Sequence, residues 1–159
     1  VGALREVARG RRWKAGLLIE NTAGKRGDIS STLQAVSEIM NCVPRSLIAG
    51  VCIDTCHAFA SGYDIRTAGG ISRMAYELAE HIGTDSVKLI HLNDSKAGAG
   101  SRVDRHQHIG RGEIGADGLA MFVNHAPFRA VPLVLETPKK KDSDDQENIA
   151  RVRKMIKAV

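Results

Sequence analysis

A short apolar segment that ends in an ionisable side chain recurs four times along this chain. Segments 16–19, 47–53, 87–92 and 131–135 are each followed by a turn or loop and then by residues with helical periodicity. The second of them, LIAGVCI, is apolar throughout rather than alternating, which is typical of a parallel strand that helices cover on both faces. The repeat of strand, loop and helix predicts an α/β fold with a parallel sheet and right-handed crossovers.

The helices are marked in the sequence by capping residues and apolar stripes. A capping box at Ser31 and Gln34 predicts that one helix begins near residue 31. An apolar stripe across residues 71–82 predicts a second helix, which Gly83 is expected to end. Asp117 is expected to cap a third, short helix.

Two segments are expected to be loops, and a last helix is expected near the end of the chain. Residues 55–68 form the first predicted loop, and residues 95–116 form a longer one that is rich in glycine and basic residues. The last helix follows a charged run and is expected to carry an apolar stripe of Ile149, Val152 and Ile156.

The composition fits one globular domain over residues 1–159. Of the 159 residues, 43% are hydrophobic and 26% are charged, which supplies a core and argues against a disordered chain. No apolar run reaches the roughly 18–20 residues of a membrane span, and the first residues lack the apolar stretch of a secretory signal. Without an initiator methionine, and with Leu4, Val7 and Ala8 at helical spacing, the chain is expected to begin inside a longer protein.

Charge and cysteine content bear on the partners and the compartment. A formal charge of +5 and a pI of about 9.3 suit a polyanionic partner such as nucleic acid, although a basic composition alone is weak evidence. The three cysteines, Cys42, Cys52 and Cys56, are odd in number and form no C-x-x-C pair. Reduced thiols in a cytosolic or nuclear compartment are therefore expected, with Cys52 as a small buried core residue.

The ionisable residues at the four strand ends predict a metal site. In parallel α/β folds, ligands gather outside the carboxyl ends of the strands. Buried carboxylates need a partner, and a divalent cation suits both carboxylate and imidazole. Each residue alone has a simpler explanation as a capping or salt-bridging group, but four at equivalent places favour metal binding. The predicted ligands are Glu20, Asp54, His91 and Glu136.

A second set of candidate ligands comes from the loops. His57 lies just beyond the second predicted strand, and Asp104 and His106 alternate along an extended segment so that both project to one side. Two imidazoles and one carboxylate make a plausible zinc shell with room for water. Three further histidines are expected to lie outside the metal sites: His81, His108 and His125.

Five motifs together carry a resemblance to a known family. They are residues 20–24 (ENTAG), 50–67 (GVCIDTCHAFASGYDIRT), 91–96 (HLNDSK), 103–106 (VDRH) and 133–137 (LVLET). With them the chain is similar to the endonuclease IV family of zinc-dependent apurinic/apyrimidinic endonucleases, which fold as (β/α)₈ TIM barrels of the xylose isomerase-like type. The match covers nearly all of the chain in order, but the first half of the family's barrel, with four strands and two histidine ligands, has no counterpart. The fold implied is therefore the last four βα units of the barrel.

The resemblance implies a three-zinc site when carried over position by position. Glu20 would bridge two ions, and three further residues would complete the shell of one of them: Asp54, His91 and Glu136. The third ion would be held by His57, Asp104 and His106. The remaining ion of the pair would depend on the two absent histidines, so that this chain alone is expected to hold fewer than three ions.

The resemblance also implies a reaction and a partner. The family hydrolyses the phosphodiester bond 5′ to abasic sites in double-stranded DNA, as part of base-excision repair. The catalytic residues would then be Glu20, Asp54 and Glu136, and Arg105 would meet a DNA phosphate. A full-length monomer that does not bind membranes is expected, in the nucleus or cytoplasm, with the mitochondrion as an alternative.

Two other functions stay open from the sequence. A sugar isomerase or epimerase of the xylose isomerase-like group would use the same barrel and the same metal-binding strand ends. It would not need the basic loop or the second donor set. A partial chain that binds metal or DNA without cutting is the other alternative.

Overall fold

The centre of the molecule is a parallel sheet of four strands. The computed structural model describes residues 2–8 and 14–157. The strands of its sheet are β1 (Leu17–Glu20), β2 (Ile48–Asp54), β3 (Val87–His91) and β6 (Leu133–Val134). They lie in the order β1–β2–β3–β6, and every neighbouring pair is parallel. The parallel sheet predicted from the four apolar segments is confirmed.

Helices follow the sheet strands, and a small hairpin interrupts the third unit. Strands β4 (Asp94–Ser95) and β5 (His106–Gln107) pair antiparallel within the long loop after β3. Two short 3₁₀ turns precede β2 and β3. The helices are α1 (Gly2–Ala8), α2 (Leu33–Cys42), α3 (Thr55–Ser61), α4 (Ala68–His81), α5 (Gly115–Asn124) and α6 (Ser143–Met155).

The core lies between the sheet and the helices that cover it. The last five residues of β2 are all buried, as the uniformly apolar segment predicted. The predicted stripe on α4 is confirmed at Ile71, Met74 and Leu78, which are buried in the main hydrophobic cluster. It is wrong at Ala79, which is exposed. Gly83 follows this helix with φ at +89°, and its N–H bonds the carbonyl of Leu78, as expected of a glycine stop.

Two helix caps and one predicted loop differ from the predictions. The cap of α2 is Thr32 rather than Ser31, and its side chain accepts the N–H of Ala35. Residues 55–61 of the predicted first loop form the helix α3, which begins at the end of β2 with no connecting turn. Asp117 lies inside the first turn of α5 and caps nothing, since the N-cap position is Ile114, whose own side chain makes no capping bond.

The predicted stripe on the last helix is wrong in two of its three positions. Only Val152 is buried, whereas Ile149 is 43% exposed and Ile156 lies beyond the end of α6. Polar side chains on the inner face of α6 make contacts in place of the expected apolar ones. Asn148 is 1% exposed and bonds the backbone of Ile109, so this helix is held to the long loop by hydrogen bonds as well as by apolar contacts.

Truncation of Leu78 tests whether the core lies where the structure has it. It is fully buried on α4, so Leu78→Ala leaves a cavity and is expected to lower the free energy of unfolding by about 2–5 kcal/mol. The matched control is Ile29→Ala, because Ile29 is 71% exposed and its truncation removes little buried surface. Urea unfolding followed by circular dichroism compares the two. Equal losses would place the core elsewhere.

Candidate metal centre

The four predicted strand-end ligands meet at one edge of the sheet. Parallel register brings the carboxyl ends of β1, β2 and β3 side by side, with Glu20 opposite Cys52 and Asp54 opposite His91. Glu136 follows β6 by two residues and reaches the same place. One donor atom from each of these residues lies within 4.8 Å of all the others, in the set Glu20, Asp54, His91 and Glu136. We call these residues the strand-end set.

His91 lies at the middle of the strand-end set. Its Nδ1 is 3.1 Å from Oε1 of Glu20, 3.2 Å from Oε2 of Glu136 and 4.0 Å from Oδ2 of Asp54. Three carboxylates around one imidazole nitrogen repel one another unless a cation lies among them. This arrangement suits a divalent ion that accepts both oxygen and nitrogen ligands.

The three predicted loop ligands form a second group beside the first. Nε2 of His57 is 3.3 Å from Oδ1 of Asp104, and Nε2 of His106 is 3.6 Å from the same oxygen. His57 is carried by α3 and His106 by β5, so the group joins two different βα units. We call these three residues the loop set.

Both imidazoles of the loop set are oriented by backbone carbonyls. Nδ1 of His57 lies 2.9 Å from the carbonyl of Asn21, and Nδ1 of His106 lies 3.0 Å from that of Glu136. A carbonyl only accepts, so each Nδ1 carries the proton and each Nε2 is directed at Asp104. This outer hydrogen bond is the usual support of a metal-binding histidine.

An unpaired buried nitrogen shows that the loop set fits a metal ion. Nε2 of His106 is buried and has no hydrogen-bond partner, because the carboxylates of Asp54 and Asp104 are both 3.6 Å away. An unpaired buried polar atom is costly unless it has a ligand. A cation between Nε2 and the two carboxylates would satisfy all three groups. The residues present therefore fit the implied metal.

Asp54 joins the two sets. Its side chain is fully buried, with Oδ1 accepting the N–H of His57 and Oδ2 facing both His91 and His106. Burial raises the pKa of Asp54 above its ordinary value, although the imidazoles of His57 and His106 act in the opposite direction. Asp54 also serves as the N-cap of α3, which explains why this helix begins directly at the strand end.

The imidazole and carboxylate charges stabilise each other across the sets. Burial opposes ionisation of Glu20, but hydrogen bonds and charge from His57 and His91 outweigh it and lower the pKa of Glu20. The pKa of His57 rises to about 9 despite burial, because Glu20, Asp54 and Asp104 surround it. Excess negative charge at this edge thus favours bound positive charge, here a proton on His57.

Two buried asparagines that the sequence predictions missed hold the carboxylates in place. Asn21 bonds both the N–H and the carbonyl of Asp54, at 2.8 and 3.1 Å. The amide of Asn93 donates to Oδ2 of Asp54 at 2.7 Å and to Oε2 of Glu136 at 3.4 Å, while its oxygen accepts the N–H of Glu136. In the sequence, both asparagines come just after the end of a predicted strand, and this position could have indicated that they lie at the site.

The comparisons with known proteins agree with this architecture. The family model described as xylose isomerase-like TIM barrel matches residues 3–159. The chain belongs to this family. Its resemblance to endonuclease IV is confirmed as well, since it is 42% identical over 142 residues to a probable endonuclease 4 of Methanoculleus marisnigri and 46% identical over 128 residues to that of Aquifex aeolicus. Those alignments cover 89% and 80% of this chain.

A solved structure shows the same fold. The crystal structure of endonuclease IV from Thermus thermophilus superimposes with a TM-score of 0.77 at 33% identity, over 96% of this chain and 54% of that one. The chain also spans about half of its curated relatives, 50% of the Methanoculleus protein and 45% of the Aquifex protein. The described sheet accordingly has four parallel strands rather than a closed barrel.

Two thiols lie next to the donors of this xylose isomerase-like half barrel. Cys52 neighbours Glu20 and His91, and Cys56 neighbours Asp54 and His106, so each could complete an alternative donor group. Burial raises the pKa of Cys52 to about 12 and that of Cys56 to about 11, with the nearby carboxylates adding to the effect. Carboxylate and imidazole donors are therefore favoured over thiolates. None of the three cysteines forms a disulfide in this structure.

The three histidines expected to lie outside the site belong to none of the donor groups found among the described residues. His81 is exposed at the end of α4. Nδ1 of His108 bonds the amide of Asn148, and His125 follows the end of α5. The metal-binding role of the seven predicted ligands stays a prediction, although the structure brings all seven together.

Substitution of Asn93 tests whether its amide holds the carboxylates of Asp54 and Glu136. Asn93→Asp replaces a shared amide donor by a third carboxylate between Asp54 and Glu136, and should cost about 1–3 kcal/mol of stability in metal-free protein. Asn41→Asp makes the same chemical change at an exposed position of α2 and should cost little. Denaturant unfolding in the presence of a chelator measures both. Equal stability of the two variants would show that the amide does not bridge the carboxylates.

Proposed function

We propose that this chain is the C-terminal part of an endonuclease IV-type enzyme that hydrolyses the phosphodiester bond 5′ to abasic sites in DNA, in base-excision repair. The observation that carries the proposal is the pair of neighbouring donor sets at the strand-end edge, with Asp54 of the strand-end set facing His106 of the loop set. The similarity to proteins named probable endonuclease 4 supports it, as does the fold shared with endonuclease IV of Thermus.

We propose zinc as the metal. Imidazole nitrogen and carboxylate oxygen are common zinc donors, and the loop set supplies three of them in a partly enclosed place. Glu20 is the candidate bridging ligand of the ion pair, as the resemblance implies, and its Oε1 lies 3.1 Å from Nδ1 of His91 in the strand-end set. The family fold would hold three ions, and the residues of this chain complete the shells of two.

The strand-end carboxylates have the catalytic role in this proposal. Zinc bound here would act as a Lewis acid on the phosphoryl oxygens and would lower the pKa of a bound water. Glu20, Asp54 and Glu136 supply the negative charge that retains the cations. Asn93 holds two of these carboxylates at a fixed separation, which keeps the geometry constant while charge develops on the substrate.

The surface beside the donor sets suits a DNA backbone. Exposed basic side chains occupy the loops after β1 and β3, on the side of the sheet where the strands end. Such contacts position a protein on DNA without reading its sequence. Arg105 is the strongest candidate, because its backbone carbonyl accepts the N–H of Lys96 while its side chain is exposed. The basic residues are Lys25, Arg26, Lys96, Arg102, Arg105 and Arg111.

A sugar isomerase or epimerase is the alternative that the family description allows. The strand-end set alone would serve either reaction. The loop set and the basic loops favour the endonuclease, since a neutral sugar needs neither. A partial chain that binds metal or DNA without cutting is also distinguishable by experiment.

The decisive experiment uses the full-length protein loaded with zinc. We expect it to nick a duplex containing one abasic site, to leave a 3′-hydroxyl, and to spare the same duplex without the lesion. Turnover of a ketose without nicking would support the isomerase instead. Zinc and DNA binding with neither activity would support the non-catalytic alternative.

His57 tests the loop set. His57→Ala should remove about one zinc ion per full-length protein, because the loop set then keeps only two ligands. His81→Ala is the matched control, since His81 is exposed and lies outside both sets. Elemental analysis after gel filtration gives the zinc content. Unchanged zinc in His57→Ala would contradict the assignment of the loop set.

Arg105 tests the DNA contact. If it neutralises one phosphate, Arg105→Ala should weaken binding equally across sequences and reduce the slope of log affinity against log salt by about 0.9. Arg153→Ala removes an exposed arginine from α6 and should leave the slope unchanged. Fluorescence anisotropy over a range of salt concentrations measures the slopes. An identical slope in both variants would exclude Arg105 from the interface.

Compartment and oligomeric state stay predictions. The expected nuclear or cytoplasmic location and the expected monomer rest on the sequence. Within residues 2–8 and 14–157, no helix has the length and apolar character needed to cross a membrane.

A further inference from the structure

One completely buried carboxylate belongs to neither donor set and lies next to the loop set in the chain. Asp94 is 0% exposed, lies three residues beyond His91 and takes part in no salt bridge among the described residues. A buried charge without a cation needs strong hydrogen bonds. Asp94 obtains them entirely from backbone N–H groups.

These N–H groups come from the far end of the long loop. Oδ2 of Asp94 accepts the N–H of Gly112 at 2.9 Å, and Oδ1 accepts those of Ile114 at 3.0 Å and Gly115 at 3.3 Å. Oδ1 also accepts the N–H of Ser95 at 2.8 Å. The carboxylate therefore joins the end of the long loop to its beginning. It also accepts hydrogen bonds from backbone N–H groups at the start of α5, where the N-cap residue makes no side-chain bond.

The backbone of Asp94 holds the other side of the same loop. Asp94 pairs with Gln107, and Ser95 pairs with His106, in the β4–β5 hairpin. The backbone of Asp94 thus holds β5, the strand that carries His106. Its side chain holds residues 112–115, which follow that strand. The packing is close, since a Cβ on Gly112 would overlap the carbonyl oxygen of Ser95 and Oδ1 of Asp94.

We infer that Asp94 is a positioning residue for the loop set. Its side chain makes no hydrogen bond or ion pair with His57, Asp104 or His106. It holds the loop and hairpin that bring Asp104 and His106 to His57. The inference rests on the proposed metal-binding function, and it concerns the loop set alone. The strand-end set is carried by the four strands of the parallel sheet, and the side chain of Asp94 makes no hydrogen bond to its members.

The test compares Asp94→Asn with Asp117→Asn. The asparagine keeps one oxygen for Ile114 but turns an amide N–H₂ against the N–H of Gly112, so two donors face each other. Asp117→Asn makes the same change of charge in the first turn of α5, where the aspartate is exposed and caps nothing. It should behave as the unmodified protein.

Two measurements separate positioning from general stability. In metal-free protein, hydrogen exchange at Gly112 and at residues 105–107 should be about tenfold faster or more in Asp94→Asn, because hydrogen bonds to a charged group are lost. Exchange within the β2–β3 pairing should not change. In zinc titrations against a chelator, ring ¹⁵N signals should show binding at His57 and His106 weakened about tenfold or more, with binding at His91 unchanged.

Each outcome decides the inference. Unchanged exchange and unchanged zinc affinity in Asp94→Asn would overturn it, and so would equal weakening at both sets. If the variant does not fold, the unmodified protein provides the test, because zinc added to the loop set should in return slow exchange at Gly112 and Ile114. No slowing would overturn the inference. Failure of the unmodified protein to bind zinc at either set would instead overturn the proposed function, and exchange at residues 105–107 would still decide whether Asp94 holds the loop.

Discussion

The buried carboxylate of Asp54 is the interaction on which the rest of the site depends. It ends the central strand, caps α3 through the N–H of His57, and places one oxygen toward both His91 and His106. A charge with no solvent exposure is tolerated only where its partners are fixed. Asn21 holds its backbone and Asn93 its side chain, so the geometry of both donor sets follows from this one residue.

The sequence allowed the sheet and the convergence of ligands to be predicted because both follow from simple periodicities. Apolar segments of strand length mark β2 and β3, and the rule that parallel strands end at one edge brings Glu20, Asp54 and His91 together. The D-x-H spacing likewise placed Asp104 and His106 on one side of an extended segment. The stripe and glycine stop of α4 are equally local signals.

The features that were missed depend on contacts between distant segments. Helix α3 is short and has no wide apolar stripe, and it forms because Asp54 caps it and Phe59 is buried in the main hydrophobic cluster. The cap of α5 is supplied by Asp94, which lies 20 residues before Ile114 in the chain, so no local motif at Ile114 could show it. Polar anchoring of α6 through Asn148 similarly replaced the expected apolar stripe.

The central claim is that the strand-end edge holds two distinct metal-binding sets. Anomalous diffraction at the zinc absorption edge, from crystals of the full-length protein, tests it most directly. We expect one peak within bonding distance of His57, Asp104 and His106, and a separate peak among Glu20, Asp54, His91 and Glu136. Crystals grown with zinc that show no anomalous density at either set would contradict the account.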